Sequence, residues 1–335
     1  MNAIRWFPVV ALAAALAAAG CNKAGKLSEK SKQPPPTGPV ELKLKWTPNE
    51  RVVQNLDMKT KTEMSVPGQP APIQQNITMG QKFALTVLQE MPDGGHEVEM
   101  EYLGARMGVE QGGKTVMDYD STRKSADEKK NPVADMFGKI IGAKIHFFLD
   151  ASNNVERIEG VDELMNRMAT GRQASDLAPL KSMFSEGYFK QMMSSSLYLP
   201  PKPVAPGDSW PVRLEIPMDP LGTLVLDYTF TLERWEMHGK RNCARMEFQG
   251  TIETKPGPDA SAMGMTMALH DGTTSGVSWF DPELGITIDS LIHQDLTMTM
   301  SFPKNPRPKP GTPVQMQTIT NQMSQVLNVK LDSVK

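Results

Sequence analysis

The sequence predicts an α+β fold: a strongly curved antiparallel β-sheet, open and barrel-like, formed by two similar halves, with short helices covering one face. Three observations predict this fold class. Apolar residues alternate with polar ones over long segments, three landmarks recur in the same order, and helical spacing is concentrated in the middle of the chain. Alternation with a period of two places apolar side chains on one face of a strand, as in antiparallel sheets with one solvated face.

Alternation is clearest in the second half of the chain. One segment carries its apolar residues at Leu224, Leu226, Tyr228, Phe230 and Leu232. A longer segment runs from Ile286 to Phe302, and a closing strand is predicted around Leu327, Val329 and Leu331. Strands of this length twist and coil, so we expect a curved sheet that wraps like an open barrel.

Three repeated landmarks predict the two halves. Each half opens with a proline-led turn, continues through a hairpin and reaches an aspartate-containing turn. The paired segments are 46–52 and 205–210, 83–104 and 228–250, and 148–155 and 279–286. The alternative is chance similarity, because amphipathic hairpins share turn chemistry.

The landmarks divide the chain into five segments. Residues 1–20 are predicted to be a signal peptide, and 21–40 a lipidated cysteine followed by a flexible tether rich in Pro and Lys. Residues 41–172 are the first β-rich half, 173–200 a helical connection and 201–335 the second β-rich half. We expect the two halves to form one body.

Helical spacing occurs in three segments between the landmarks. Pro132 stands at a predicted first helical position, and apolar residues spaced by three and four follow it. The same spacing recurs over 161–168 and 177–193. Each segment therefore presents one apolar face, which we expect to lie across the mouth or the concave face of the sheet.

The N-terminus has the pattern of a secretory signal. Arg5 precedes an apolar run from Trp6 to Ala19, which is too short to cross a hydrocarbon layer of about 30 Å as a helix. Small residues then lead to Cys21 as in a lipobox, although Ala18 stands where leucine is usual. The alternative is an ordinary signal peptide with an incidental cysteine.

Lipidation of Cys21 predicts a protein tethered to a membrane through N-terminal acyl chains. Asn22 stands where an inner-membrane retention signal has aspartate, which favours the periplasmic side of the outer membrane, within the cell envelope. With 2 cysteines in the chain, only Cys243 then keeps a free thiol, and no internal disulfide is expected. Its strand-like surroundings predict a buried, unreactive thiol.

The sequence contains no recognisable enzyme motif, so we predict a protein that is not an enzyme and uses no cofactor. Its 5 histidines lack the spacing of a metal site, so no metal is expected. Asp281 and Glu283 belong to a turn sequence, and Glu97, Glu99 and Glu101 to a solvated strand face. The net charge of −2 argues against a nucleic-acid partner.

The 24 methionines indicate adaptable apolar surfaces; Cu(I) binding is the alternative, disfavoured because no Cys or His clusters with them. The resulting hypothesis is a non-enzymatic binding module for an apolar or acyl (lipid) ligand. Its proposed ligand-binding residues are Phe137, Phe184, Phe189, Met298 and Met300. The alternative is a structural or scaffolding lipoprotein with a closed core that acts through an envelope protein partner.

Three stretches of the sequence resemble an uncharacterised family of predicted bacterial lipoproteins, a domain of unknown function. They are Leu42-Lys43-Leu44-Lys45-Trp46, the stretch from Pro200 to Trp210, and Trp279-Phe280-Asp281-Pro282-Glu283-Leu284-Gly285. The resemblance covers nearly all of the chain after the signal and implies no activity, cofactor or catalytic residue. The expected architecture is also similar to periplasmic lipoprotein-carrier proteins, which hold acyl chains, but this is an analogy of fold.

Overall fold

The chain is described by a computed structural model. The structure describes residues 27, 29–32, 34–123, 132–170, 186–193, 198–218, 222–256, 266–303 and 315–335. The predicted signal peptide and Cys21 lie outside these residues. The strands are β1 (Arg51–Ser65), β2 (Ile73–Glu90), β3 (His96–Gln111), β4 (Lys114–Asp120), β5 (Lys144–Leu149), β6 (Val155–Glu159), β7 (Ser209–Met218), β8 (Gly222–His238), β9 (Arg241–Pro256), β10 (Thr266–Asp281), β11 (Ile286–Pro303) and β12 (Met316–Val334). The helices are α1 (Pro132–Ile140), α2 (Val161–Ala169) and α3 (Glu186–Met193).

All the described strands belong to one antiparallel sheet. The strand order is β6-β5-β3-β2-β1-β12-β11-β10-β9-β8-β7, with β4 paired to β3. The first and last strands therefore pair with each other, from Val52 opposite Val334 to Ser65 opposite Thr320. Strands β6 and β7 are the two ends of this path and do not pair with each other in the part of the chain described, so the sheet is not closed.

The fold is mostly antiparallel β-sheet, which confirms the antiparallel sheet of the predicted α+β class. The described helices are short, as predicted, at eight or nine residues. None of the helices in the described ranges is long and apolar enough to cross a membrane. Of the helix predicted over 177–193, the described residues include only the part from Glu186 onwards, which is helical. Residues 171–185 lie outside the described part of the chain. Sequence periodicity thus located the described helices correctly.

One face of the sheet, which we call the inner face, carries the main apolar cluster. On β1 this face holds Val52, Leu56 and Met58, which are buried, while Lys59 and Lys61 alternate with them and are exposed. The cluster is continuous and includes residues of both halves and of the helices. The apolar residues that alternate along the sequence therefore lie on this face, and the polar residues between them lie on the solvated face.

Aromatic side chains fill the inner face near the β7 edge. Trp210 stacks on Phe230 with ring centroids 5.9 Å apart, and Phe230 stacks on Phe248 at 5.0 Å. Tyr198, between α3 and β7, covers Tyr228 edge to face at 6.1 Å. Its carbonyl oxygen accepts a hydrogen bond of 3.0 Å from Trp210 Nε1. Such pairs stabilise a core beyond the area they bury, so this part of the inner face is closed.

The stretch predicted as a flexible tether contacts the body: Leu27 packs against the main apolar cluster, and backbone hydrogen bonds begin at Ser31. The Ser31 backbone N–H donates to the carbonyl of Lys240 at 3.0 Å, and Ser31 Oγ accepts from the backbone N–H of Asn242 at 2.7 Å. Val40 then forms a bridge with Val204. Composition rich in Pro, Lys and Ser predicted solvation but carried no information about these backbone hydrogen bonds.

The turn between β10 and β11 anchors that N-terminal segment. Asp281 Oδ1 accepts from the backbone N–H of Glu283 at 2.9 Å, which confirms the predicted turn. Arg241 bridges the two carboxylates, with N–O distances of 2.5 Å to Asp281 and 3.0 Å to Glu283, and both Arg241 and Asp281 are buried. Lys45 Nζ donates to the carbonyl of Pro282 at 2.6 Å. Because Arg241 and Asp281 are buried together, removing either side chain would leave the other as an unpaired buried charge and would destabilise the turn.

Substitution of Gly276 on β10 provides a test of the packing on the inner face. A Cβ atom at this position would lie 2.4 Å from Phe248 Cζ and 2.4 Å from the Leu291 carbonyl oxygen. We expect Gly276→Ala to lower the free energy of unfolding by about 1–3 kcal/mol, measured by urea denaturation, because the ring and backbone must move. Gly104→Ala is the control, since its Cβ would meet only ordinary contacts at 3.5 and 3.6 Å. Equal losses in the two variants would contradict the packing described.

Candidate functional site: a polar row on the inner face

A row of polar side chains crosses the inner face of the central strands. Thr274 of β10 lies opposite Gln294 of β11, Gln294 opposite Gln325 of β12, and Gln325 opposite Thr60 of β1. On the other side of Thr274 the row continues to Tyr228 of β8, across Gly250 of β9. The polar row, as we call it, consists of Thr60, Gln325, Gln294, Thr274 and Tyr228.

The two glutamines of the polar row are buried without a protein partner. Both are 1 % exposed, and neither the amide nitrogen nor the amide oxygen of either side chain bonds to another described residue. Thr60 Oγ1 is in the same situation. Leaving a buried amide unpaired costs about 1–3 kcal/mol, and in native proteins such groups bond to water or to a ligand. The two amides therefore keep unused hydrogen-bonding capacity within the described residues.

Tyr228 ends the polar row with a neutral hydroxyl. Burial, and then the neighbouring Tyr198, raise the pKa of Tyr228 well above its ordinary value of 10. The phenol therefore stays protonated at physiological pH, and it lies among the aromatic rings of the closed part of the inner face.

Apolar rows flank the polar row on both sides. On one side Ile292 lies opposite Leu327, and Leu327 opposite Met58. This row continues across Met79 to Met107, and we call Met58, Met79 and Met107 the methionine row. On the other side Leu296 lies opposite Met323, and Thr62, opposite Met323, ends this row with a hydroxyl. Unbranched thioether side chains repack readily around differently shaped apolar groups.

The inner face around the polar row carries no charge. Alternate inner positions of β1 from Val52 to Met64, of β11 from Ile286 to Phe302 and of β12 from Ile319 to Leu331 hold no Asp, Glu, Lys or Arg. The same holds for β8 from Leu224 to Leu232 and for β10 from Gly272 to Phe280. The site is therefore chemically neutral, with amides and hydroxyls as its polar groups.

Two of the predicted ligand-binding residues pack within the core. Phe137 on α1 is buried and stacks on Tyr119 with centroids 5.9 Å apart. Phe189 on α3 is fully buried and packs edge to face on Phe147 of β5 at 6.4 Å. Both side chains thus have aromatic protein partners.

The other predicted residues lie elsewhere. Met298 and Met300 are half-buried on the inner face of β11, in phase with Gln294, and lie opposite Asn321 and Ile319 of β12. Phe184 and Cys21 lie outside the described residues. The structure thus brings Met298 and Met300 to the face of the polar row, apart from the two phenylalanines, and a role for any of these residues in binding stays a prediction.

Sequence reasoning missed the polar row. Gln294 stands between Ile292 and Leu296 in the apolar phase of β11, and Gln325 stands between Met323 and Leu327 in the apolar phase of β12. The sequence did contain one indication of this site: each glutamine stands at a position where the alternating pattern predicts a buried apolar residue. Recognising that the two glutamines face each other required the strand register, which the sequence does not print.

The glutamates of β3 differ from the solvated face predicted for them. Glu99 is 9 % exposed, and His146 Nδ1 lies 3.1 Å from Glu97 Oε1. Arg51 Nη2 lies 2.7 Å from Glu101 Oε2. Contacts with Arg51 of β1 and with Lys144 and His146 of β5 reduce the exposure of these carboxylates. Within the described residues no group of three or more His, Cys, Asp or Glu side chains is placed to hold a metal ion.

The buried thiol of Cys243 gives one chemical test of the fold. Cys243 is fully buried, and burial raises the pKa of its thiol, so the reactive thiolate is suppressed at neutral pH. With Cys21 replaced by Ser, we expect maleimide to label the folded protein more than about tenfold more slowly than the urea-unfolded protein. Equal labelling rates would show an accessible thiol.

Replacing the two unpaired amides should stabilise the protein. We expect Gln294→Leu combined with Gln325→Leu to raise the free energy of unfolding by about 1–3 kcal/mol, because two unsatisfied polar groups leave the core. Urea denaturation of the ligand-free protein measures this change. The control replaces Gln249 and Gln322, which are exposed, by leucine and should change stability by less than about 0.5 kcal/mol. Destabilisation by the inner pair would mean that the amides have partners.

Several solved structures are similar to the chain at low identity. A structure of lipid–protein interactions in lipovitellin matches with a TM-score of 0.44 and 8 % identity over 86 % of this chain, which spans only 26 % of that chain. An outer membrane lipoprotein-sorting protein domain from Vibrio parahaemolyticus matches with a TM-score of 0.17 and 10 % identity, covering 83 % of this chain and 84 % of that one. The outer membrane protein OprG from Pseudomonas aeruginosa matches with a TM-score of 0.21 and 7 % identity over 86 % and 96 %. TM-scores of this size do not establish a shared fold.

No curated protein matches the sequence. The model of a family of unknown function, DUF6263, matches residues 93–287. The match runs from the turn before β3 to the start of β11, so it includes Tyr228 and Thr274 but not Gln294, Gln325 or Thr60. This match covers more than half of the chain and confirms the resemblance seen in its sequence: the chain belongs to the family of unknown function DUF6263.

Proposed function

We propose that this protein is a membrane-tethered, non-enzymatic module that binds an apolar or acyl ligand on the inner face of its sheet. The observation that carries the proposal is the pair of buried amides, Gln294 and Gln325, that no described residue satisfies. The apolar row beside them, Ile292 and Leu327, leads to the methionine row, which can adapt to an apolar chain. A site of this kind combines apolar lining with a few polar groups that orient a ligand.

A curved sheet would give the inner face the enclosure that a ligand needs. Helix α3 packs against both end strands, β6 and β7. The eleven strands of the path, laid flat at about 4.8 Å per strand, would separate these ends by about 48 Å. An eight-residue helix is only about 12 Å long. We infer that the sheet bends until its two ends approach the same helix, so that the polar row faces inward.

The tether would hold the binding body close to the membrane. Lipidation of Cys21 at the periplasmic side of the outer membrane is our proposal from the sequence. Ser31, ten residues later, already bonds to the turn between β8 and β9. Ten extended residues reach at most about 35 Å. The end of the sheet that holds this turn would therefore stay within about 35 Å of the lipid surface.

The chemistry of the polar row supports binding rather than catalysis. Amides and hydroxyls orient a ligand through hydrogen bonds, whereas general acid–base catalysis needs a group that gains and loses a proton near neutral pH. The central strands offer no carboxylate or amine on this face. We therefore propose a carrier or sensor.

The test is to identify what the protein carries. With Cys21→Ser expressed in a bacterial periplasm, we expect native mass spectrometry and solvent extraction to find an acyl compound in near-stoichiometric amount. Met298→Asp should remove it, because a charge on the inner face is incompatible with an apolar chain. Met237→Asp is the matched control, since Met237 is 48 % exposed.

A protein that stays free of lipid, even after incubation with mixed lipids, would contradict this proposal. Crosslinking in cells would then test the scaffolding alternative, in which an envelope protein is the partner.

A further inference from the structure

We infer that the ligand has an uncharged head group that both donates and accepts hydrogen bonds, as in a monoacylglycerol, and that the polar row holds this head group. This inference rests on the proposed function and specifies its ligand class. Three features of the inner face support it: the type of polar group, the absence of charge, and the position of the apolar rows.

The polar groups call for a head that hydrogen-bonds in both directions. Each glutamine amide presents two N–H donors and one carbonyl acceptor, and neither Gln294 nor Gln325 uses them within the described part of the chain. Thr60 adds a hydroxyl without a partner at one side. A head with only acceptors, or only donors, would leave half of these groups unsatisfied. A head with hydroxyl and ester oxygens would satisfy both kinds.

The lack of charge excludes an ionised head. No Lys or Arg occupies an inner position of β1, β8, β10, β11 or β12 over the ranges given above, so a phosphate or carboxylate would be buried without a counter-charge. Burying an ion without a counter-charge is strongly unfavourable. The buried guanidinium of Arg241 is already paired with Asp281 and Glu283 at the end of the sheet. A neutral head avoids this penalty.

The register sets the scale of the head group. Gln294 and Gln325 lie directly opposite each other on neighbouring strands, whose backbones are about 5 Å apart. Two adjacent oxygens of a glycerol unit can reach both amides at that separation. The acyl chain would then run over the methionine row or over Leu296 and Met323, the apolar rows on either side.

The experiment compares four probes with the Cys21→Ser protein: monolaurin, laurate, lauroyl lysophosphatidylglycerol and dodecane, at mildly alkaline pH, by native mass spectrometry competition and calorimetry. We expect monolaurin to bind at least about tenfold more tightly than either ionised probe. The Gln294→Leu, Gln325→Leu variant should lose about ten- to a hundredfold in monolaurin affinity, since two hydrogen-bonding amides are removed. Its affinity for dodecane should be unchanged, and the control with Gln249 and Gln322 replaced by leucine should bind every probe as the parent does.

The outcomes separate this inference from the proposed function. Equal affinity for monolaurin and the ionised probes, or unchanged monolaurin binding by the inner double variant, would overturn the inference and leave apolar binding standing. Failure of all four probes to bind would overturn the proposed function itself. The preference of the parent protein among probes does not depend on how any variant folds, so the inference remains testable if the double variant is unstable.

Discussion

The pairing of the first strand with the last is the constraint on which the rest of the structure depends. Without the contact between β1 and β12, strands β1 to β6 and β7 to β12 would form two separate meanders, each with an unprotected edge. With it they form one sheet with one continuous apolar cluster. The same pairing places Thr60 beside Gln325, so the element that unites the fold also completes the polar row. A one-residue slip of β12 would turn Gln325 to the solvated face, so the strand register fixes the site.

The polar row and the ion pair of Arg241 differ in whether their buried polar groups have protein partners. Arg241, Asp281 and Glu283 satisfy one another and fasten the N-terminal segment across the turn between β10 and β11. Gln294 and Gln325 have no such partners in the described residues. The first arrangement leaves no buried charge without a partner. Stability does not explain the second, because apolar residues there would stabilise the core. Departures from the rules of core packing of this kind are expected at functional sites.

The sequence made the strands predictable because their apolar residues alternate regularly, as in β8 and β11. The strand order shows how the two predicted halves are related in space. The series β6-β5-β3-β2-β1 and β11-β10-β9-β8-β7 run in the same sense along the sheet, as expected for a tandem repeat. The duplication itself stays a prediction. The site was harder to predict. Methionine and phenylalanine drew attention because they are apolar and adaptable, yet Phe137 and Phe189 are engaged by other aromatic rings. Gln294 and Gln325 are more than thirty positions apart, and only the register brings them together.

The contact between β1 and β12 also has a consequence for the order of folding. The two strands are separated by about 270 residues of sequence, so closing this loop is entropically expensive and contributes a high contact order. The β2–β3 and β8–β9 hairpins can form locally, but β1 must wait with one edge unpaired until β12 has been synthesised. During that interval the inner face lacks β12, and the chain is prone to pair with other chains through exposed edges. The protein should therefore fold late and slowly, and depend on whatever shields its strands until the last one arrives.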